Sequence, residues 1–482
     1  MPELREASPD AATAGDAMSA VGALVARARR AQRAFEAWTQ QQVDEAVTAA
    51  AWAIMEPARN RALAEHAVRA TGLGDVADKI AKNHRKTLGL LRDLRGAKSV
   101  GVVSEDRSRG LIEIARPVGV VAAITPSTNP AATPANNMLN ALKGRNAIIV
   151  APSPKGHSTL ALLIGFVHAE LERIGAPRDL VLQLPAPVTR ESTYELMRAA
   201  DLVVATGSQT NVRAAYASGT PAIGVGAGNV SVIVDETADI ADAAAKIASS
   251  KTFDHATSCS SENSVIAVAS VYDALVRAFA AQGGAMLTGT EAHKLEAAMF
   301  AGGNLASAFI AQSAGAIAAR AGLDRPEVRA AKFLVVAETG VGRAHPFSGE
   351  KLSPVLALYR ADGFAAAASL AEQLLRYQGA GHSIGLHTRK PERALQLGLT
   401  LPVCRVIVNQ AHCFATGGSF DNALPFSLSM GCGTWGGNSI SDNLNYRHFL
   451  NIARVVHPLP SDRVRAPTDD EFFAEYRRKY GL

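Results

Sequence analysis

Residues 257–265 read Thr-Ser-Cys-Ser-Ser-Glu-Asn-Ser-Val and carry a lone cysteine, Cys259, among small polar side chains. An apolar run, residues 265–268, follows, which predicts a buried strand that starts beside the cysteine. Small neighbours leave a thiol open to a substrate, and consecutive backbone N–H groups can stabilise an anion there. The alternative is a buried cysteine that packs as a small hydrophobe, as most cysteines do.

Length and composition indicate a soluble globular protein. The 482 residues exceed the size at which one core keeps growing, so we expect two domains or more. Hydrophobic residues make up 48% and charged residues 19% of the chain, and no apolar stretch is long enough to span a bilayer. The net charge of +5 comes without a dense Lys/Arg block, which argues against nucleic acid as a partner. The pI of about 9.0 is compatible with an anionic ligand such as a nucleotide or coenzyme A.

The four cysteines indicate a reducing compartment. They show no CxxC spacing, so neither a zinc site nor a disulfide framework is predicted, and we expect no metal. No signal peptide is recognisable at the start of the sequence, which adds to the expectation of a cytoplasmic protein.

The order of predicted elements indicates an α/β fold. Apolar residues recur at helical spacing from about residue 15 to about residue 95, as in Val21, Leu24, Val25, Ala28 and Phe35. Short β-branched runs then alternate with helical stretches, which is typical of parallel sheets with crossover helices. The first predicted sheet contains residues 118–124, 147–150, 180–184, 202–205 and 230–234. The second contains residues 264–268, 333–337, 355–359, 383–387 and 405–409.

Three loops after the strands of the first sheet are candidate ligand sites, because open α/β sheets bind ligands at strand ends. Residues 125–130 form a stiff turn in which the amide of Asn129 can donate to an oxygen, although a plain turn needs no function. Residues 206–208 open a helix and can take an anion or a nicotinamide portion. Residues 224–229 carry three glycines, which implies close backbone approach to a ligand or another segment. No GxGxxG fingerprint follows any strand, so an ordinary Rossmann site is not supported.

Seven motifs in this order resemble the aldehyde dehydrogenase superfamily, and within it the coenzyme A-acylating branch. They are TPSTNP (125–130), TGS (206–208), GVGAGN (224–229), TSCSSENS (257–264), EKLSP (350–354), GAGH (379–382) and GCGTWGGNSISDN (431–443). The resemblance covers roughly residues 15 to 455. It implies a cofactor-binding domain of residues 1–234, to which residues 433–482 return. It also implies a catalytic domain of residues 235–432, with an active-site tunnel between the two.

The resemblance also implies the roles of individual residues. Cys259 is the nucleophile, and Asn129 is the side-chain donor to the oxyanion. Glu350 takes the place of the glutamate that binds the nicotinamide ribose. The remaining positions expected along the dinucleotide are Thr125, Pro126, Ser153, Lys155, Thr206, Gly207, Ser208 and Gly226.

Two departures from the superfamily pattern bear on function. Val225 stands where hydrolytic members carry a glutamate general base, and valine cannot take a proton from water. This favours attack on the thioester by a thiol, which ionises far more readily than water. Residues 151–155 read APSPK where NAD-specific relatives carry a glutamate for the adenosine ribose. Ser153 and Lys155 in this loop favour NADP, with NAD as the alternative.

We therefore predict a CoA-acylating aldehyde dehydrogenase that converts a short aldehyde reversibly to its acyl-CoA with NAD(P), as a homodimer or homotetramer. The TSCSSENS motif combined with residues 409–420 resembles the group that acts on sulfoacetaldehyde. A sulfonate needs cations or donors, and His412, Thr416, Gly417 and Ser419 could surround it. The alternatives are a small uncharged aldehyde, a hydrolytic enzyme and a non-catalytic scaffold. His382 and His255 could act on a thiol, but a structural and a surface role are favoured for them.

Overall fold

The computed structural model describes residues 9–482, apart from the side chains of residues 9–17 and of Asp462. Residues 1–8 of the predicted cofactor-binding domain lie outside this range. Within it, no helix combines the length and the apolar character that a membrane crossing demands. The strands, in chain order, are β1 (Gly101–Asp106), β2 (Leu111–Pro117), β3 (Val120–Thr125), β4 (Ala147–Pro152), β5 (Val181–Gln183), β6 (Leu202–Ala205), β7 (Ala222–Gly224), β8 (Val230–Val234), β9 (Glu262–Val268), β10 (Gly284–Met286), β11 (Phe333–Ala337), β12 (Val355–Ala361), β13 (Ile384–His387), β14 (Val406–Val408) and β15 (Leu450–Val456).

The helices of the described chain connect these strands and cover the sheets. They are α1 (Pro9–Glu36), α2 (Gln40–Met55), α3 (Pro57–Thr71), α4 (Val76–Leu94), α5 (Ala132–Lys143), α6 (His157–Arg173), α7 (Arg190–Ala199), α8 (Gln209–Ala217), α9 (Ile240–Thr252), α10 (Tyr272–Ala281), α11 (Gly289–Met299), α12 (Ala314–Arg320), α13 (Pro326–Arg329), α14 (Phe364–Tyr377), α15 (Pro391–Thr400), α16 (His412–Ala415) and α17 (Asp469–Tyr480). The helical character predicted for the region before residue 95 is confirmed by α1 to α4.

The first sheet is parallel, with strand order β5-β4-β3-β6-β7. Every residue of β3 and β4 is buried, which explains why both strands read as continuous apolar runs. Because the strands are parallel, the loops after β3, β4, β6 and β7 meet at one edge. This edge therefore collects the three loops that the sequence marked as ligand sites.

The second sheet is also parallel, with strand order β10-β11-β12-β9-β8-β13-β14. The assignment of residues 230–234 to the first sheet was wrong, because they form β8 and pair with β9 and β13. The fifth strand of the first sheet is instead β7, which has only three residues and gives little pattern to read. On this topology we place the proposed boundary between the two α/β units within residues 225–229.

A third, antiparallel sheet has the order β1-β2-β15 and was not predicted. Leu450 pairs with Pro117 and Val456 with Leu111, so the C-terminal part of the chain returns to its N-terminal half through β15. Ile452, Val455 and Val456 of β15 are exposed.

Candidate active site

One cavity of about 580 Å³ lies where the loops after β3, β6 and β7 meet the segment before β9. The loops come from the carboxyl edge of the first sheet, and Cys259 comes from the amino edge of the second sheet. Ten of the residues proposed from sequence line this cavity: Pro126, Asn129, Lys155, Thr206, Gly207, Ser208, Gly226, Cys259, Glu350 and Gly417. Residues more than two hundred positions apart thus meet at one site.

A strained turn places Cys259 at the cavity. Between α9 and β9, residues Asp254, His255 and Ala256 have positive φ values of 49°, 49° and 58°. Such a backbone is costly for residues with side chains and persists only where the surroundings hold it. The buried carboxylate of Asp254 supplies that hold, because it accepts hydrogen bonds from Lys79, Lys82 and the backbone N–H of Asp75.

The glycines of the 224–229 loop let two segments approach the cysteine closely. A Cβ added at Gly228 would lie 2.2 Å from the carbonyl oxygen of Cys259, so only glycine fits there. The Oδ1 of Asn438 accepts hydrogen bonds from the N–H groups of Gly226 and Cys432, each at 2.9 Å. The loop, which lines the cavity, is therefore tied to the glycine-rich 431–443 segment.

The thiol of Cys259 is protonated in the resting site. Burial raises its pKa to about 12, and the negative charge of Glu350 and the neighbouring Cys432 add to this effect. The hydroxyl of Ser260 and the cysteine's own N–H act in the opposite direction. Burial also raises the pKa of Glu350, to about 8. Binding of a cationic group near the thiol would therefore favour the reactive thiolate.

The side chain of Asn129 is oriented by a buried network. Its Oδ1 accepts a hydrogen bond from Lys82 Nζ at 2.9 Å, and the same ammonium group donates to Thr257 Oγ1 at 2.8 Å and to Asp254. Because Oδ1 is occupied, the NH₂ group of Asn129 is the part left for a ligand in the cavity. This arrangement suits a donor to an oxyanion on the carbon that Cys259 attacks.

Seven of the nine residues expected along the dinucleotide line the cavity, and the surface that these seven form fits such a cofactor. Gly207 has a φ of 141°, which favours glycine, and it joins β6 to α8. Ser208 caps α8, and the N-terminal end of this helix faces the cavity, where it can favour negative charge. Thr125 and Ser153 are not cavity-lining residues. However, their hydroxyl groups are buried without a hydrogen-bond partner among the described residues.

Val225 lines the cavity, as does Glu350, which is the single carboxylate among the described lining residues. Val225 is only 6% exposed and its N–H donates to the carbonyl of Ala205 in β6. The position that the family resemblance equates with the water-activating glutamate of hydrolytic members is therefore apolar in this structure.

Of the four predicted substrate residues, Gly417 lines the cavity. The other three, His412, Thr416 and Ser419, do not. His412 is buried, and its Nδ1 lies 2.9 Å from the carbonyl of Ser260 and 2.9 Å from Thr416 Oγ1. Burial lowers the pKa of His412 to about 4, so the ring carries no charge for an anion. Ser419 accepts a hydrogen bond from Arg85 and faces a separate pocket. The short helix α16 turns these polar groups into the protein, and the prediction that they surround a sulfonate is corrected accordingly.

The two histidines that could act on a thiol do not line the cavity either. His382 is buried and bonds the hydroxyl of Ser383 through Nδ1 at 2.7 Å, and burial lowers its pKa to about 3. His255 belongs to the strained turn before the cysteine.

The sequence did not reveal three buried lysines on α4. Lys79, Lys82 and Lys86 are spaced three and four residues apart, so they share one face of the helix, and all are buried. Lysines along a helix usually indicate a solvent-exposed face. The regular spacing of these three lysines was the one feature of the sequence that could have indicated a shared buried face. Lys86 lines the cavity itself.

Comparison with known proteins gives four findings. A family model described as "Aldehyde dehydrogenase family" matches residues 8–302. The chain is 61% identical over 465 residues to a Cupriavidus necator protein named sulfoacetaldehyde dehydrogenase (acylating), covering 96% of this chain and 94% of the relative. It is 42% identical to a Bilophila wadsworthia protein of the same name, over 92% of this chain and 96% of that relative. A solved acetylating aldehyde dehydrogenase from Geobacillus thermoglucosidasius superimposes with a TM-score of 0.89 at 36% identity, covering 97% of this chain and 100% of that structure.

Proposed function

This chain belongs to the aldehyde dehydrogenase family, and on that basis we propose that it oxidises sulfoacetaldehyde to its acyl-CoA thioester. The CoA-acylating reaction is that of the acylating relatives, and the substrate is supported by the 61% identity over 96% of the chain to a protein named for it. The observation that carries the reaction type is the presence of Cys259 and Val225 in one cavity. A nucleophile faces the substrate, and no base stands where water would be activated.

The residues of the cavity divide the chemistry between them. The Cys259 sulfur forms a bond to the carbonyl carbon, and the developing oxyanion accepts hydrogen bonds from the Asn129 amide and the cysteine N–H. The thiol proton is released to water as this bond forms. A bound nicotinamide dinucleotide would supply the two-electron oxidant: the carbonyl re-forms from the oxyanion as the C–H bond of the aldehyde carbon breaks and its hydride leaves to the dinucleotide. The acyl group is then held on Cys259 as a thioester. The thiolate of coenzyme A attacks that thioester, the carbon–Cys259 bond breaks, and the cysteine sulfur leaves as thiolate. The same steps run in reverse for acyl-CoA reduction.

NADP is the dinucleotide that we propose as the preferred cofactor. Lys155 lines the cavity and is exposed, so its ammonium group is available to a 2′-phosphate. Ser153, two residues before it, has a buried hydroxyl without a partner among the described residues. Residues 151–155 include no Asp or Glu, so no carboxylate in this loop repels the phosphate.

The proposal includes a homodimer or homotetramer, as the family resemblance implies. The exposed apolar side chains Ile452, Val455 and Val456 on one strand of the antiparallel sheet support an association surface. Light scattering coupled to size exclusion would test this part, and a monomer at micromolar concentration would contradict it.

Product analysis tests the reaction itself. The purified protein is incubated with sulfoacetaldehyde and NADP, with and without coenzyme A, and the products are separated and identified. We expect the acyl-CoA to form rapidly and free acid to form slowly when coenzyme A is omitted. Equal yields of free acid under both conditions would contradict acylation, and a preference for propionaldehyde would contradict the proposed substrate.

A further inference from the structure

A buried cation in the cavity lacks a counter-ion. Of the three buried lysines of α4, Lys79 and Lys82 form ion pairs with Asp254, at 3.1 and 2.5 Å. In the part of the chain that the structure describes, no carboxylate lies within ion-pair distance of Lys86. Its Nζ donates one hydrogen bond, to the carbonyl of Gly417 at 2.7 Å. An ammonium group has three donors, so two remain for a ligand.

Lys86 lines the cavity that Cys259 also lines, and its ammonium group lies next to Gly417. A Cβ added at Gly417 would stand 2.7 Å from Lys86 Nζ and 3.2 Å from the sulfur of Met430. That sulfur in turn accepts a contact from Ser260 Oγ at 3.8 Å. The space beside Gly417 therefore borders both the ammonium group of Lys86 and the sulfur of Met430, and that sulfur contacts the residue after Cys259. Gly417 has no side chain, which leaves room for the lysine.

The other lysine that lines the cavity, among the described residues, comes from a different element of the fold. Lys155 follows β4 in the first sheet, within the loops expected to hold the dinucleotide, whereas Lys86 belongs to α4. The two lysines are therefore candidates for different anions.

The surroundings of Lys86 are costly without an anion. Burial lowers its pKa to about 7; Cys413 and Cys259 act in the opposite direction, and the positive charges of Arg85 and Lys82 act in the same direction as burial. A buried charge is unfavourable unless it is paired, and a permanent anion offsets this cost by keeping the lysine charged. A sulfonate is such an anion at every pH at which the enzyme folds. An uncharged aldehyde would leave the ammonium group of Lys86 buried and unpaired, which disfavours binding of such an aldehyde.

We propose that Lys86 is the residue that binds the sulfonate of the aldehyde substrate. The assignment rests on the proposed function, and it replaces the 410–420 side chains as the source of specificity. Gly417 contributes by its carbonyl, which holds the ammonium group in place. In this arrangement Lys86 on α4 binds the charged group of the substrate, while Asn129 and Cys259 hold the reacting carbon.

The test compares two aldehydes in the wild type and three variants. The ratio of kcat/KM for sulfoacetaldehyde to that for propionaldehyde is measured for wild type, Lys86→Met, Lys86→Arg and Lys155→Met. For Lys86→Met we expect a loss of about 10²-fold with sulfoacetaldehyde, mainly in KM, because a desolvated charge pair is broken. Propionaldehyde turnover should stay within about threefold, since it makes no use of the charge. Lys86→Arg should retain part of the ratio, and Lys155→Met should change the KM for NADP while the ratio stays as in wild type.

A binding measurement adds a readout that needs no turnover. Ethanesulfonate, which lacks the aldehyde, should slow alkylation of Cys259 by iodoacetamide in the wild type and lose this effect in Lys86→Met. Equal losses with both aldehydes would make Lys86 a structural residue, and an unchanged ratio would place the sulfonate elsewhere; either result overturns the inference. Failure of the proposed substrate is a separate result, visible in the wild type alone as a preference for propionaldehyde.

Discussion

Lys82 Nζ lies 2.9 Å from Asn129 Oδ1, and this bond connects the proposed oxyanion donor to a buried ion pair. Burial by itself would raise the pKa of Asp254, but Lys82 and Lys79 outweigh it and hold that pKa below its ordinary value. The carboxylate therefore stays charged and keeps Lys82 in place. Lys79 bonds the same carboxylate but donates to the carbonyl of Thr128 instead of to Asn129.

The first prediction is that Lys82 acts as a positioning residue for Asn129. Asn129→Ala should lower the rate by about 10²–10³-fold, the usual effect of removing one oxyanion donor. Lys82→Met should lower kcat substantially, and the double variant should be scarcely worse than Asn129→Ala, because both changes remove one function. Lys79→Met is the matched control, since it breaks an ion pair to the same Asp254 without touching Asn129. Additive effects of the two substitutions, or equal losses in Lys79→Met, would contradict the positioning role.

The second prediction concerns the nucleophile. Cys259→Ala should abolish turnover and leave the fold intact, because we assign the thioester to Cys259 and not to Cys413, the other cysteine that lines the cavity. Cys404→Ala is the control, as this cysteine is free and is not one of the residues that line the cavity. Activity and the circular dichroism spectrum are measured for both variants. A residual rate above roughly a thousandth of wild type in Cys259→Ala would show that the nucleophile is elsewhere.

The third prediction follows from the raised pKa of Cys259. With a thiol pKa of about 12, alkylation of the cofactor-free enzyme by iodoacetamide should speed up with rising pH throughout the range below that value. Each pH unit should bring an increase of about tenfold, since the thiolate is the reactive form. Glu350→Gln removes a negative charge that raises the thiol pKa, so this variant should react faster than wild type at pH 9. A plateau near pH 8 in wild type, or slower alkylation in Glu350→Gln, would contradict the assignment.

The fourth prediction is a preference for NADP that depends on Lys155. Wild type should show a higher kcat/KM with NADP than with NAD, because Lys155 and Ser153 can contact the 2′-phosphate. Lys155→Met should lower the NADP value by about tenfold and change the NAD value little. Initial rates at varied cofactor concentration give both constants. An efficiency with NAD equal to or above that with NADP in the wild type would remove the preference.

The fifth prediction concerns the close approach of Gly228 to the cysteine. Gly228→Ala should displace the Cys259 segment, because its Cβ would meet the carbonyl oxygen at 2.2 Å. We expect a loss of activity together with a loss of stability of about 1–3 kcal/mol, the usual cost of overpacking. At Gly363 an added Cβ meets nothing within 4 Å, so Gly363→Ala should be tolerated. The measurements are the thermal unfolding and the activity of both variants. Equal stability and equal activity of Gly228→Ala and Gly363→Ala would contradict the packing argument.

The sequence by itself determined the order of the elements, and it predicted the reacting groups. Cys259, Asn129 and the glycine loops 206–208 and 224–229 stand in local patterns whose chemistry depends on neighbouring residues, so they could be read along the chain. The alternation of β-branched runs with helices likewise fixed the parallel α/β architecture, because the period of each element is a local property.

Only the tertiary structure decided which strands are neighbours and which side chains reach the cavity. Strand β8 belongs to the second sheet, and β15 pairs with β2 across more than three hundred residues, through bonds that leave no local pattern. The polar groups of His412 and Thr416 satisfy each other inside the protein, whereas Lys86 faces the cavity. Whether a polar side chain is exposed, paired or presented to a ligand depends on partners distant in sequence, as Lys82 depends on Asp254, and these partners meet only when the chain has folded.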